Sequence, residues 1–475
     1  MKNPTIISML VLVAVTQAVQ AQRPGPQFLP ERVGLIKNTE EAFSGYNLIA
    51  PLPSGTTWLV DNEGQVVHSW RTEYAPGNSV YLLPDGNLLR SVKPPNAHGF
   101  GQGGAGGGIQ LLDWDGNTIW EHLYANDQYR QHHDIQPMPN GNILAIAWEM
   151  KSREQAIQAG RNPRWLEGDE LWPEKIVELK PRGKWDADTV WEWHIWDHLI
   201  QDHDKIKDNY GVVKDHPELI DINFTARGQA DWNHINSVDY NPKFDQIILC
   251  SHNQHEFWVI DHSTTTEEAA GHKGGRSGKG GDILYRWGNP YVYFGGERAD
   301  QQLFSQHDAR WIPEGYPNAG QITVFNNGSS RANRGWSSVD RIKPPVNEKG
   351  FYSLIKGRAF KPAKPAWSYS APNKRDFHAH NISGAHALPN GNTLICSGPN
   401  GRLFEVTEEK EIVWEYVLPS LGGGNGTGRR AMATSMFRVT RYAKDYAAFK
   451  GRDLKPRGSL EEAFSRATRI RPAGR

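Results

Sequence analysis

The sequence predicts an all-β fold, a six-bladed β-propeller with long loop insertions, on three observations. Glycine, proline and tryptophan are abundant (48, 30 and 18 of 475 residues), which suits many short strands joined by turns. A hairpin with a proline-centred turn recurs along the chain. A tryptophan-bearing strand recurs between the hairpins. Propellers of this length form a single unit.

The hairpins begin at Ser79 (SVYLLPDGNLLRS), Asp134 (DIQPMPNGNILAI), Ser237 (SVDYNPKFDQIILCS), Asp308 (DARWIPEGYPNAGQITVF) and Gly384 (GAHALPNGNTLICS). Each is a short run, a polar turn and an apolar β-prone run. Asn-Gly or Asp-Gly there predicts a tight turn with both central residues at positive φ. The second element carries Trp70, Trp120, Trp191, Trp287, Trp367 and Trp414. Six such strands in one context are the mark of propeller blades. The stretch ending at Trp70 lacks a preceding hairpin, and SMFRVTRY (Ser435–Tyr442) lacks a following tryptophan strand. The two chain ends are therefore expected to share one blade, which would hide exposed sheet edges. Residues 40–450 read as the propeller, within one domain spanning 22–475. Three insertions are expected: 151–185, charged and partly helical; 200–230, polar with a helical stretch; and 264–282, glycine-rich.

The first 21 residues read as a secretory signal: Lys2, an apolar run from Ile6 to Val15, and small residues ending at Ala21. That run is short for a membrane span, and no later stretch is long and apolar enough to cross. The expectation is an exported protein, periplasmic or secreted. Acidic and basic residues balance at 53 each, which argues against a polyanion binder such as a nucleic-acid protein. Cys250 and Cys396 fall at one register of different blades, so no bond between them is expected.

GFGQGGAGGG (99–108) contains Gly-x-Gly. A phosphate loop would need a following helix, and a strand and turn follow instead. It reads as a flexible connection.

The histidines are more informative. Six residues before each hairpin proline stand Asn78, His133, Asn236, His307 and Ser383. This register precedes the innermost strand, at the mouth of the central channel. Gln131 and His132 adjoin His133, His234 precedes Asn236, and His378 and His380 precede Ser383. Arg331 closes FNNGSSR, one strand after His307. Imidazoles with an arginine suit an anion with several oxygens. The guanidinium fork matches such oxygens, and imidazole acts as nucleophile or general acid and base near neutral pH. A metal is the competing reading, but the ring offers few carboxylates and no cysteine pair, so no metal or cofactor is expected there. Asp134 and Asp308 point to the opposite face from His133 and His307 and read as supports.

The motifs HHDIQPMPNGN, DWNHINSVDYNP, GDILYRWGNP, QHDARWIPEG with VFNNGSSR, and ISGAHALPNGNTLICSGPNGRLFEV resemble the bacterial arylsulfotransferases that work without a nucleotide sulfate donor. The resemblance covers most of the chain. It implies a six-bladed propeller that moves a sulfuryl group from an aryl sulfate to a phenol through a sulfated histidine, with no cofactor. His234 matches the His of the H-x-N-S motif, His307 that of Q-H-x-A-R, and Arg331 the Arg closing N-G-x-x-R. The nucleophile is left among His380, with His378 and His386 behind it, and His133. His386 is expected to point away from the channel. His132, His133 and Asn236 are expected to line the substrate site. Two other readings stay open: a non-catalytic propeller that binds a secreted partner or sulfated glycan, and a propeller polysaccharide lyase with a histidine base.

Overall fold

A computed structural model describes residues 32–224, 229–332, 335–421 and 434–467; the signal-like segment lies outside them. Six β-sheets radiate around one axis. Blade 1 combines Thr440–Ala443 with Gly45–Ile49, Thr56–Val60 and Val66–Arg71. Blade 2 is Ala75–Leu82, Leu88–Lys93, Gly108–Leu112 and Thr118–Leu123. Blade 3 is Tyr129–Pro137, Ile143–Glu149, Glu174–Arg182 and Asp186–His194. Blade 4 is Ile235–Asn241, Gln246–Ser251, Glu256–Asp261 and Tyr285–Trp287. Blade 5 is His307–Trp311, Ile322–Asn326, Ser338–Ile342 and Trp367–Tyr369. Blade 6 is Gly384–Ala387, Thr393–Ser397, Arg402–Val406 and Ile412–Val417, with Gly34–Asn38 added to its outer edge.

The tryptophans are the fastening. Each of the six lies in the outermost strand of its blade's repeat, and its indole N–H donates to the next blade. Trp70 reaches Asp113 O at 3.2 Å, Trp120 reaches Asp186 O at 2.8 Å, and Trp191 reaches Thr264 Oγ1 at 3.1 Å. Trp287 reaches Pro362 O at 2.6 Å, Trp367 reaches Glu408 O at 2.8 Å, and Trp414 reaches Asn62 O at 2.8 Å. The last bond joins blade 6 to blade 1. An indole suits this place because it buries a large apolar area and still satisfies a stranded carbonyl. The apolar core is divided likewise into six clusters, one between each pair of consecutive blades. Both faces of each sheet are therefore covered, and central strands such as Glu256–Asp261 are buried throughout.

The turn chemistry differs from expectation. In the Pro-Asp-Gly and Pro-Asn-Gly hairpins only the glycine has positive φ: +92° at Gly86, +84° at Gly141 and +91° at Gly391. The N–H of Gly86 donates to Leu83 O, that of Gly141 to Met138 O and that of Gly391 to Leu388 O. Proline fixes the first turn position at negative φ. Asp or Asn then takes the second position, and glycine accommodates the left-handed residue that follows.

The insertions are also smaller and less helical than predicted. Residues Glu174–Arg182, inside the first predicted insertion, are the third strand of blade 3, which leaves the helix Arg153–Gln158 as its helical part. Between 200 and 224 the described chain holds only the 3-10 turn Val213–Asp215 and the parallel pair Leu199–Ile200 and Ile220–Asp221. The glycine-rich third insertion carries the one-turn helix Thr266–Ala269. Cys250 and Cys396 are free and buried.

All six blades meet at a buried charged cluster on the axis. Arg438, which leads into the inner strand of blade 1, donates to Tyr81 Oη at 2.8 Å and to both Asp134 oxygens at 3.1 and 2.8 Å. Arg310 donates to Asp308 at 2.7 Å, to Tyr81 Oη at 2.7 Å and to Asp134 at 3.1 Å, and lies 3.7 Å from Asp239. His386 Nε2 is 3.2 Å from Asp308, so its ring points into the channel. That reverses the expectation: three residues before the hairpin proline, Tyr81, Asp239, Arg310 and His386 all face the axis. The aspartates also stitch blade to blade: Asp134 accepts Val238 N–H at 3.2 Å, and Asp308 accepts Ala385 N–H at 3.2 Å. Burial would lift the Asp308 carboxyl, but Arg438 and Arg310 hold it far below the usual range. At Asp239 burial prevails over Arg310 and pushes the carboxyl up to about 6.

Candidate active site at the channel mouth

Above this cluster the chain enters its inner strands through backbone irregularities. In blade 3, Ala145 pairs with Ile135 and Ala147 with Gln131, so three residues bulge opposite one. His133, at φ +51°, lies in that bulge. In blade 5 the bulge falls at Asp308 (φ +59°) and Ala309. A bulge re-aims side chains that strict alternation would send to opposite faces. Neighbours in sequence thus separate, with His133 and His307 at the mouth and Asp134 and Asp308 at the axis.

Five imidazoles form one continuous row there. Ring centroids are 5.1 Å apart for His132 and His133, 4.6 Å for His133 and His234, 5.2 Å for His234 and His252, and 5.4 Å for His252 and His307. His132 stacks on Trp148 at 3.9 Å, and its Nδ1 lies 2.8 Å from that of His133. His132, His133 and His307 are buried, whereas His234 and His252 are half-buried.

Three of these rings are oriented by an oxygen on Nδ1. Asp231 Oδ2 lies 2.5 Å from His234 Nδ1, and its other oxygen accepts the Trp148 indole N–H at 2.9 Å. Asn253 donates its amide to the carbonyls of Asp231 and Trp232, which turns its oxygen to His252 Nδ1 at 2.8 Å. Asn327 donates to the carbonyls of Ala379 and Ile382, which turns its oxygen to His307 Nδ1 at 2.8 Å. In its neutral form each of these three rings therefore carries its proton on Nδ1 and leaves Nε2 with a lone pair.

Four rings of the row resist protonation. Burial, then the neighbouring rings, keeps His133 and His252 well below the ordinary histidine value. Burial with His234 and Arg130 does the same for His132. Burial brings His307 down to about 4 against the Asn327 bond. Beneath Asp231, Glu174 is fully buried and accepts Ile235 N–H at 2.8 Å. Burial and the charge of Asp231 raise its carboxyl well above the usual range.

The glycine-rich loop, expected to be a flexible connection, is a packed wall. Gly104, at φ +86°, accepts His133 N–H at 2.8 Å, and a Cβ there would stand 2.0 Å from the His133 ring. Gln131 accepts Gly107 N–H at 3.1 Å. Gly104 lets the backbone approach the imidazole where any side chain would collide.

Arg331 and His380 stand on adjoining loops of blades 5 and 6. The Arg331 guanidinium lies 3.7 Å from the Trp336 ring centroid and 5.0 Å from that of Phe304. It donates to Ser338 Oγ at 3.1 Å, and its buried Nε has no partner. The His380 side chain is exposed, and its carbonyl accepts Ser329 Oγ–H at 2.7 Å. Through Asn327 the segment 379–382 is two hydrogen bonds from His307. His378 is half-buried, with Nε2 unpartnered. Asn236 is the bulged residue of blade 4, fully buried, with its amide donating to Gln306 O at 2.8 Å. In that blade the positive-φ residue is His234, two residues earlier than the shared register, so His234 takes the mouth and Asn236 the blade seam.

His132, His133, His234 and His307 thus come together, Arg331 and His380 adjoin the His307 end, and Asn236 lies beneath. Sequence reasoning missed His252, Asp231, Glu174, Asn253 and Asn327. Only Asp231 had a visible signal, three residues before His234 in DWNH.

Among solved structures, the chain is similar to a protein of unknown function from Bacteroides caccae (11% identity, TM-score 0.43, covering 84% of this chain and 99% of that one). It is similar also to apo AztD from Citrobacter koseri (8%, 0.36, 85% and 99%) and to a virginiamycin B lyase from Staphylococcus aureus (10%, 0.34, 81% and 88%). No curated protein matches the chain. The family model for arylsulfotransferase (ASST) matches residues 47–417, from the first strand of blade 1 to the last strand of blade 6. On that match, the chain belongs to the arylsulfotransferase family.

Proposed function

We propose that this protein transfers a sulfuryl group from an aryl sulfate to a phenolic acceptor by way of a sulfated histidine. The observation that carries this reading is the row of five imidazoles at the channel mouth, with Arg331 and His380 on loops tied to its His307 end.

In the first half-reaction a lone pair on the His380 ring attacks sulfur. The sulfur–oxygen bond to the aryl group breaks, and its electrons leave on the phenolate. One of His234 and His307 takes a proton from solvent on its Nε2, donates it in a hydrogen bond to that oxygen, and passes it over as the bond breaks. Arg331 offers its unpartnered Nε–H to the sulfuryl oxygens. In the second half an acceptor phenol oxygen attacks the same sulfur, the sulfur–nitrogen bond breaks with its electrons returning to the His380 ring, and the phenol's proton passes to the same imidazoles. Asp231 stabilises the imidazolium that forms on His234, as a carboxylate does in a hydrolase triad. His132 and His133 act as wall and support. Transfer of this kind has a loose transition state, by analogy with phosphoryl transfer, so positioning and charge stabilisation carry most of the catalysis. The leader-like residues 1–21 make export part of the proposal.

The test is transfer from p-nitrophenyl sulfate to phenol by purified protein without nucleotide, with mass spectrometry of the peptide containing His380. Turnover with a sulfated histidine supports the reading. No turnover by folded protein across acceptors and pH overturns it and leaves a binding propeller.

A further inference from the structure

A second group of side chains joins the turn after blade 3 to the insertion of blade 4. His198 ends the 3-10 turn Ile195–His198 that follows blade 3. His272 and Asp282 flank the glycine-rich loop between the outer strands of blade 4. Their ligating atoms lie within 4.8 Å of one another, and among the described residues they are the one such group of three.

The hydrogen bonds of His198 are the telling feature. Its Nε2 lies 2.8 Å from Ala269 O and its Nδ1 lies 3.0 Å from Asp282 Oδ1. A carbonyl only accepts, so Nε2 carries a proton. A neutral imidazole has one proton, so Nδ1 then turns a lone pair toward a carboxylate oxygen. Two acceptors face each other in a buried place unless a cation or a second proton stands between them. His272 Nδ1 approaches the same oxygen at 2.7 Å.

We propose that His198 Nδ1, His272 Nδ1 and Asp282 bind a divalent transition-metal ion of the zinc class. A ring N–H fixed on a backbone carbonyl is the usual outer support of a metal-bound histidine, and Ala269 supplies it. Trp193 stacks on the His198 ring at 5.6 Å with a 10° tilt and donates to Gly281 O at 2.7 Å. Gly281 has no room for a side chain, since a Cβ would stand 2.0 Å from Ala269 O and 2.6 Å from His198 Nε2. The fixed half of the site is thus pre-organised. Two nitrogens and one carboxylate suit zinc, cobalt or nickel, whereas calcium and magnesium want more oxygens. Donors around a tetrahedral zinc stand about 3.4 Å apart, so the ion needs only a slight opening. The exposed His272 ring can provide it. His272 also lines a cavity of about 420 Å³ with Trp196, Asp197 and Asp208, which leaves room for water as the fourth ligand. Bound there, the ion would staple the loop after blade 3 to the insertion of blade 4, with two imidazoles neutral and protons released on binding.

The test uses the whole chain, stripped with chelator and titrated with Co²⁺ and Zn²⁺. One equivalent of Co²⁺ with ligand-field bands, displaced by Zn²⁺, is expected. His272→Ala, a change at an exposed ring, should keep the fold. It should weaken binding by more than the roughly 10–100-fold that loss of an outer-shell partner costs. Two results overturn the proposal: folded protein that binds neither ion, or His272→Ala protein that binds as the parent does. Sulfuryl transfer should be unchanged in His272→Ala, so a failure here is separate from a failure at the channel mouth.

Discussion

His234 Nδ1 and Asp231 Oδ2 stand 2.5 Å apart, three residues apart in sequence, with the second Asp231 oxygen fixed by the Trp148 indole. The pair sets the tautomer of the central ring in the row. Asp231→Asn keeps the shape but offers an amide that can turn its N–H toward the ring. Transfer should fall by about 10²–10⁴ with circular dichroism unchanged. A loss under tenfold in the p-nitrophenyl sulfate assay would remove Asp231 from the machinery.

Gly104 and Gly141 have nearly the same positive φ, +86° and +84°, but Gly104 faces the His133 ring and Gly141 faces open space. Gly141→Ala should cost about 1–2 kcal/mol, the left-handed strain alone. Gly104→Ala should add about 1–3 kcal/mol of overpacking and displace His133, slowing transfer as well. Urea unfolding of the two variants separates strain from collision.

Trp414 closes the ring through its bond to Asn62 O. Trp414→Phe leaves that carbonyl without its donor and should destabilise by about 1–3 kcal/mol. Because the seam joins the first and last blades, the loss should appear mainly in the unfolding rate, measured by stopped-flow fluorescence.

On the axis, Arg438 pairs with Asp134 and Asp308, all buried. Arg438→Met leaves Asp134 and Asp308 to share Arg310 alone and should cost about 3–5 kcal/mol. Asp239→Asn should cost far less, because that carboxyl is already pushed up to about 6 by burial. Thermal denaturation at pH 7 compares them.

Stability should fall on both sides of neutrality. His132, His133 and His252 titrate well below their ordinary value, and His307 at about 4. Between about 6.5 and 4 the unfolded chain binds protons at these rings that the folded chain excludes, so stability drops as pH falls. Asp221 and Asp239, both raised to about 6, oppose part of this. On the alkaline side, burial disfavours charge on His194, but Glu149 and Glu192 lift it to about 9. Its stabilisation is complete below about 6.5 and lost as pH rises through 9. Tm measured from pH 5 to 9.5 should peak near neutral. In His194→Gln the alkaline decline should shrink.

The sequence by itself determined the propeller, its blade count and the residues that fasten it. Repeated Pro-Asn-Gly turns and tryptophan strands are local patterns, set by backbone φ and by the need to cover both faces of each sheet. It also placed His133, His234, His307, Arg331 and His380 on neighbouring loops. Only the tertiary structure decided which side chains share the mouth. Bulges of different size in blades 3, 4 and 5 shift the register, so His234 replaces Asn236 at the rim, while His386 faces the axis at the register it shares with Tyr81, Asp239 and Arg310. His252, Asn253 and Asn327 stand outside the repeat and join the row through hydrogen bonds between distant segments. The glycine-rich loop reads as slack in sequence, yet it packs on His133, because the absence of a side chain signals freedom or close approach equally until the neighbour is known.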